Sequence, residues 1–230
     1  DNDFTWKDFQ TRNNSELVAI FGNFVNRTMV LSWKYYEGIV QPMDNLDEQE
    51  QEIFIQISKL KESIETNLEN YKFREALKSF MELARIGNKY LADTEPWKLI
   101  KTNPEKVKTI LNISLQLSAN LAVFAEPFLP NTSRKLKQML ALENTSWNNA
   151  GGEMIRAGYQ LNKAELLFSQ MDNKEIDKQI QRLTDIKKQN EMEQATAKPL
   201  KDNITFEDFS KLDIRIGTII EAEKVAKTKK

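Results

Sequence analysis

The sequence contains no histidine and no cysteine. Their absence removes Ser-His-Asp and Cys-His catalysis, disulfide staples, and the usual zinc and iron–sulfur ligand sets. Glycine (7) and proline (6) are scarce among the 230 residues, which favours helices over a turn-rich β architecture. No Gly-rich phosphate loop of the Walker type is present. No apolar run approaches the roughly 20 residues of a membrane span, and no signal peptide opens the chain. Together with the missing cysteines, these gaps lead us to expect a cytoplasmic protein with no membrane partner. The formal net charge of −1 names no partner either, so any electrostatic preference must come from local asymmetry. Carboxylates are plentiful, yet they fall mostly on charged helix faces, and no pair suggests acid–base chemistry. Binding is a better expectation than catalysis.

Hydrophobic residues make up 40% of the chain and aromatics 9%, enough for a real core. Asn13 and Glu16 have the spacing of a capping box, with Asn in place of Ser or Thr. The helix they would open runs to about Glu37 and stops at Gly38, in the C′ role. Leu17, Phe21, Phe24, Thr28, Leu31 and Tyr35 recur at helical steps and predict its core stripe. The stretch "FGNFVNRT" interrupts that apolar run with polar residues. Asn23 and Arg27 are four apart and therefore lie one above the other, on a face away from the stripe. Gly22 costs roughly 1 kcal/mol inside a helix relative to Ala, a cost that close approach of another backbone would offset.

A second helix is predicted from about Asn45 to Tyr71, with Ile53, Ile57, Leu60, Ile64, Leu68 and Tyr71 as a narrow seam. From Met43 to Asn70 there are eight Asp/Glu and two Lys, the mark of a solvated outer helix and a poor place for an anion. A third helix, about Phe73 to Ala92, turns Leu77, Phe80, Ala84 and Leu91 inward. It must break near Glu95, because Pro96 disfavours the α region in the residue before it, and this holds Trp97 on a stiff turn. Asn103 and Pro104 start the next helix as N-cap and N1. That helix is apolar nearly all round after Leu111 and reads as the central member of a bundle. A short basic helix follows over about Thr132 to Leu142. From Lys98 to Leu140 there are six Lys and one Arg against two Glu, a basic region beside the Trp97 turn. Residues 143–172 look irregular, and 173–194 form a charged helix. "ATAKPLKDN" is a linker, and "LDIRIGTIIEAE" alternates like a β-strand through Ile214, Ile216 and Ile219. The expected fold is all-α, an antiparallel helix bundle with a short truncated β-strand tail. The expected domains are a bundle over 1–172, a charged helix and linker over 173–203, and the start of a further domain over 204–230.

Asn23, Arg27 and Trp97 are the residues best suited to read a nucleic-acid base. A base in a single-stranded loop is recognised by stacking on an aromatic face and by hydrogen bonds to its Watson–Crick edge. Trp supplies the face, Arg a rigid donor fork, and Asn both donor and acceptor. The competing interpretation is a helical protein–protein interaction module, in which Asn23 and Arg27 serve only packing and Trp97 plugs the core.

The stretch "NNSELVAIFGNFVNRTMVLSWKYYEGIV", then "REALKSFMELARIGNKYLADTEPWKLIK" and "ANLAVFAEPFLP", resembles the anticodon-binding domain of methionyl-tRNA synthetases. The opening "DNDFTWKDF" is similar to the junction after the catalytic domain of that family. The final "FEDFSKLDIRIGTIIEAEKV" resembles the start of the oligonucleotide-binding (OB-fold) domain appended to many bacterial members. Residues 145–200 match more loosely. The resemblance implies anticodon-binding roles for Asn23, Arg27, Pro96 and Trp97, directed at the anticodon CAU and chiefly at its first base, a cytosine. Trp97 would stack on that base, and Asn23 and Arg27 would contact its edge. Asn88, in the matched "NKY" segment, is expected to pack rather than read.

The family's two ATP-binding signatures are absent, and the histidine-containing one is impossible here. The resemblance therefore implies a tRNA-reading module of methionine–tRNA ligase, inactive alone, with the anticodon loop of tRNA(Met) as partner. ATP, with zinc as an option, would belong to the catalytic domain of the parent chain, the module's other partner. No cofactor is implied for this chain. Dimerisation of the parent would run through the complete appended domain, of which only the beginning is expected here.

Overall fold

The computed structural model describes residues 4–142, 144–195, 203–213 and 215–221. The chain divides into two compact units, 1–182 and 183–230. The first is a helix bundle. Helix α1 (Trp6–Arg12) is capped by Thr5, whose hydroxyl accepts from the Asp8 amide. It runs directly into a π-helical stretch (Asn13–Gly22) and then into α2 (Asn23–Tyr36). The capping box expected at Asn13 and Glu16 does not form, because Asn13 is already inside a continuous helical path with φ −56° and ψ −50°. Glu16 instead pairs with Arg85 at 2.6 Å. The helix ends with Glu37 and Gly38 both left-handed, and the Gly38 amide donates to the Ser32 carbonyl.

Helix α3 (Glu48–Glu69) opens on a true capping box between Asp47 and Glu50. Helix α4 (Phe73–Thr94) follows, and the chain breaks at Glu95, which takes φ +42° just ahead of Pro96. A single-turn α5 (Pro96–Leu99) leads to α6 (Pro104–Phe124), started by Asn103 and Pro104 as expected, and then to α7 (Pro130–Met139). Helix α8 (Asn173–Ala195) begins in the first unit, where Asn173 accepts from Lys7 and Gln10 of α1. The second unit also holds a single turn, α9 (Phe206–Phe209).

Most core residues fall where periodicity put them: Phe21, Phe24, Thr28, Ile53, Ile57, Ile64, Phe80, Ala84 and Leu91 are all buried. The α2 stripe is completed by Val25, Met29 and Ser32, while Leu31 and Tyr35 are only half-buried. Tyr71 and Leu77 face solvent, because α3 ends at Glu69 and the inward face of α4 runs through Ala76, Phe80 and Leu83. Gly87 lets α4 approach α2 closely: a Cβ there would come within 3.0 Å of three atoms of the Phe24 ring.

Helix α6 is buried over nearly its whole length. Against the expectation that no apolar run nears a membrane span, it has the length and apolar composition of one, yet 94% of its 18-residue apolar window is buried inside the protein. It is not uniformly apolar. Asn112, Gln116 and Asn120, one per turn, hold the main chain of other segments. Asn112 donates to the Gln41 carbonyl at 2.6 Å. Gln116 accepts from the Met154 and Ile155 amides and donates to the Ile155 carbonyl. Asn120 accepts from the Gly151 amide and donates to the Gly152 carbonyl. The irregular segment 144–172 is thereby fixed as a strap, since buried backbone groups need partners. The strap also pairs with the α2 end, through the Val40 amide to the Tyr159 carbonyl and the Gly158 amide to the Val40 carbonyl. It closes on the π-helical stretch, where the Phe168 ring lies 5.5 Å from that of Phe21 and covers Gly22. A Cβ on Gly22 would meet both the Phe168 ring and the Leu17 carbonyl oxygen of its own helical path, each at 3.1 Å.

The β-strand expected over 212–223 does not form among the described residues. Leu212, Asp213 and residues 215–221 lie in no regular element, with Ile216 and Ile219 exposed. A lone alternating segment has no ladder partner to satisfy its amides and carbonyls. Ile214 and residues 222–230, part of the same expectation, lie outside the described residues.

Candidate nucleic-acid interface

The Trp97 turn is built by its own sequence. The clash between Pro96 and the residue before it forces Glu95 out of the α region, so α4 cannot continue. Pro96 then takes the first position of α5, where a missing amide costs nothing, and is itself buried. Lys98 pairs with Glu95 at 2.7 Å across the turn. Trp97 is left half-buried.

The structure brings Arg27 of α2 directly to this ring. The guanidinium carbon lies 4.7 Å from the Trp97 centroid, a cation–π contact. Arg27 is half-buried and has no carboxylate within 4.0 Å among the described residues, so its N–H edge keeps open donors. Asn23 is exposed one turn away on the same helix. Its Nδ2 donates to Asn88 Oδ1 at 3.2 Å. Asn88, on α4, donates in turn to the Ile20 carbonyl at 2.8 Å and to the Ala84 carbonyl at 3.1 Å. Arg27 and Trp97 therefore touch, and Asn23 is tied to α4 beside them. Pro96 shapes the turn without facing solvent. Two surface hollows lie elsewhere, one beside Asn144–Arg156 and one along α7, and neither is lined by these residues.

The π-helical stretch matters here. The Asn23 amide donates both to the Val18 carbonyl, the last wide-turn bond, and to the Ile20 carbonyl. Ile20 thus sits where one helical bonding pattern gives way to the other, and its carbonyl is also reached by Asn88. Nothing in the apolar periodicity signals a wide-turn helix, so sequence reasoning missed both this carbonyl and the anchoring role of Asn88. Asn88, expected to pack, makes polar contacts, donating to the Ile20 and Ala84 carbonyls.

The basic region from Lys98 to Leu140 is largely neutralised. Lys106 pairs with Asp47 at 2.9 Å and Glu50 at 2.8 Å, Lys108 with Glu105 at 2.8 Å, Lys135 with Glu165 at 3.0 Å and Lys137 with Glu126 at 3.0 Å. Lys101 and Arg134 have no such partner among the described residues. The acidic helix α3 also differs from expectation, because Glu50 is only 1% exposed. Burial is tolerated because Glu50 is fully engaged: Tyr90 of α4 donates to it at 2.8 Å, Lys106 of α6 ion-pairs with it, and the Asp47 amide donates to it. Burial, then the hydrogen bond to Glu50, pushes the Tyr90 hydroxyl far above its ordinary pKa. The Lys106 hydrogen bond, with amide donors, holds Asp47 below the usual carboxylate range. Burial alone would lower Lys106, but its bonds to Glu50 and Asp47 outweigh this and raise it. The cluster ties α3 and α6 to the C-terminal part of α4, just before the Trp97 turn.

Residues 41–188 match the family model described as the anticodon binding domain of methionyl tRNA ligase, and residues 1–29 match that of the class I tRNA synthetases (M). The whole chain is 54% identical to a methionine–tRNA ligase of Cytophaga hutchinsonii and 55% identical to one of Bacteroides fragilis, covering 34% of each. The chain thus spans about a third of the length of the curated relatives it matches. The fold is similar to that of the apo Mycobacterium tuberculosis methionyl-tRNA synthetase, with a TM-score of 0.64 at 18% identity over 74% of this chain and 35% of that one.

Proposed function

The chain belongs to the family of the anticodon-binding domain of methionyl-tRNA ligase, and on that premise we propose that it reads the anticodon CAU of tRNA(Met) through its first base. The parent protein would attach methionine to that tRNA using ATP. This chain would supply recognition, and the chemistry would belong to the catalytic domain. The observation that carries the reading is the half-exposed Trp97 ring with the Arg27 guanidinium 4.7 Å from its centroid. An indole face offers stacking to one unpaired base, and the free Arg27 fork offers paired donors to its edge. Arg suits this task better than Lys, because a planar fork discriminates base edges and a point charge does not. Asn23, one turn away, adds a carboxamide to the same edge.

The test is a titration of the chain with a CAU stem-loop and with loops altered at the first anticodon base. Tighter binding of the CAU loop, with the preference reduced in Arg27→Ala, supports the reading. Equal losses in wild type and variant on changing that base would remove Arg27 from recognition. Binding to none of the loops would leave a helical protein–protein module as the better account.

A further inference from the structure

The carboxamide of Asn23 could in principle face a base with either its oxygen or its nitrogen, and the two choices favour different bases. Its orientation is decided by a relay that starts at the backbone. The Ile20 and Ala84 carbonyls both point at one end of the Asn88 side chain, 2.8 Å and 3.1 Å away. Only the NH2 end can satisfy two carbonyls; an oxygen placed there would meet two other oxygens. Asn88 must therefore turn its Oδ1 toward Asn23. That oxygen can receive only a donor, so Asn23 must commit its Nδ2 to it, at 3.2 Å. The remaining atom, Asn23 Oδ1, has no partner among the hydrogen bonds of the described residues, and it belongs to an exposed side chain. What the surface offers beside Arg27 is then an acceptor of fixed polarity, followed by the donors of the guanidinium.

We propose that Asn88 is a positioning residue that sets base specificity by locking Asn23 as a hydrogen-bond acceptor. This rests on the function proposed above and goes further, because it explains why cytosine rather than uracil is accepted. The cytosine edge presents an exocyclic amine donor and then two acceptors, which complements one acceptor and two donors. Uracil presents a carbonyl where cytosine has the amine, and a ring N–H where cytosine has an acceptor. Asn23 Oδ1 would then face an oxygen, and Arg27 would face a proton. A freely rotating carboxamide could turn its NH2 toward uracil and erase half of that penalty. The relay through Asn88 prevents the turn. Its origin lies in the transition from π-helical to α-helical bonding, which leaves the Ile20 carbonyl within reach of α4.

The experiment measures affinities of the full chain for stem-loops with cytosine or uracil at the first anticodon position. Wild type should favour cytosine by on the order of tenfold or more, the scale of one correctly polarised hydrogen bond. Asn88→Ala should lower that ratio severalfold, leaving only the share that Arg27 carries, with uracil-loop affinity equal to or above that of wild type. Asn23→Asp in the Asn88→Ala background should restore the ratio, because both carboxylate oxygens are acceptors and cannot flip to donors. A merely structural Asn88 would weaken both loops alike and leave the ratio unchanged, and that outcome overturns the inference, as does failure of the double variant to restore it. A loop carrying pyrimidin-2-one, which lacks the amine, tests the polarity without touching Asn88. Wild type should bind it about tenfold more weakly than the cytosine loop, whereas Asn23→Ala should show no such difference. Equal losses in both proteins overturn the inference. Wild type that binds the cytosine and uracil loops alike, yet both more tightly than a loop with a purine at that position, overturns this inference alone. Wild type that binds no loop overturns the proposed function itself.

Discussion

The Arg27 guanidinium carbon lies 4.7 Å from the centroid of the Trp97 ring, joining α2 to the turn that follows α4. The contact sets a planar donor fork over an aromatic face, and Pro96 fixes the backbone of the turn that carries that ring. Trp97→Ala should weaken binding of a CAU stem-loop by about 1–3 kcal/mol, the worth of one stacked base. Helicity by circular dichroism should hardly change, because the ring is half exposed. Arg27→Lys should keep the salt dependence of binding and lose most of the base preference. Unchanged affinity in Trp97→Ala would dismiss the stacking role.

Gly87 is where α4 makes room for the Phe24 ring. Gly87→Ala should destabilise the bundle by about 1–3 kcal/mol through overpacking, read as a lower midpoint in urea. Asn88 is the next residue along α4, so loop discrimination should suffer with it. A stability equal to wild type would show that Phe24 can move aside freely.

The Tyr90–Glu50–Lys106 cluster predicts an alkaline limit. A raised pKa in the folded state means that Tyr90 stabilises the fold fully below its ordinary value of 10.0, and that this contribution is lost progressively as pH rises above it. Lys106, also raised, acts in the same direction. Asp47 is lowered, so its smaller contribution is present above its ordinary value of 3.8 and fades as pH falls below it. Tyr90→Phe should cost about 1.5–3 kcal/mol at neutral pH, the loss of a hydrogen bond to a charged group. It should also flatten the decline in stability as pH rises above 10.0, as measured by urea midpoints. Parallel declines in wild type and variant would place the alkaline sensitivity elsewhere.

Salt dependence should be shallow for so lysine-rich a region. Lys106, Lys108, Lys135 and Lys137 already have carboxylate partners, so a bound RNA should release few counterions from them. Lys101→Ala should lower the slope of log affinity against log salt by about 0.7 for each phosphate it no longer neutralises. Lys135→Ala should leave the slope as it is. The opposite pattern would mean that the ion pairs open on binding.

Helix order, the breaks at Glu37–Gly38 and Glu95, and the central place of α6 were legible in the sequence, because each depends on short-range chemistry: periodicity, a C-terminal glycine, a proline that blocks its neighbour. The N-terminal boundary was misplaced by an apparent capping box whose Glu16 serves Arg85 instead. Tyr71 and Leu77 were assigned inward because a period extended past a helix end, or a residue off its centre line, still looks regular in sequence. At the candidate site, Asn23, Arg27, Pro96 and Trp97 were singled out by family resemblance more than by spacing. The contact of Arg27 with Trp97 and the grip of Asn88 on Asn23 depend on the Gly87 crossing and on a wide-turn helix, which no local pattern announces. The buried role of Glu50 escaped for a related reason: its partners Tyr90 and Lys106 are distant in the chain, and one more acid on an acidic helix reads as solvated.

The amide side chains that α6 directs at residues 151–155 have an implication for how this protein matures and wears. A stretch without periodicity is ordinarily the first place a protease cuts and the easiest place to lengthen. Here its main chain is clasped from within, so it should become resistant to nicking only once α6 is in place. Trimming or extending it would leave interior carboxamides clutching at nothing, which makes the least regular part of the bundle one of the hardest to remodel.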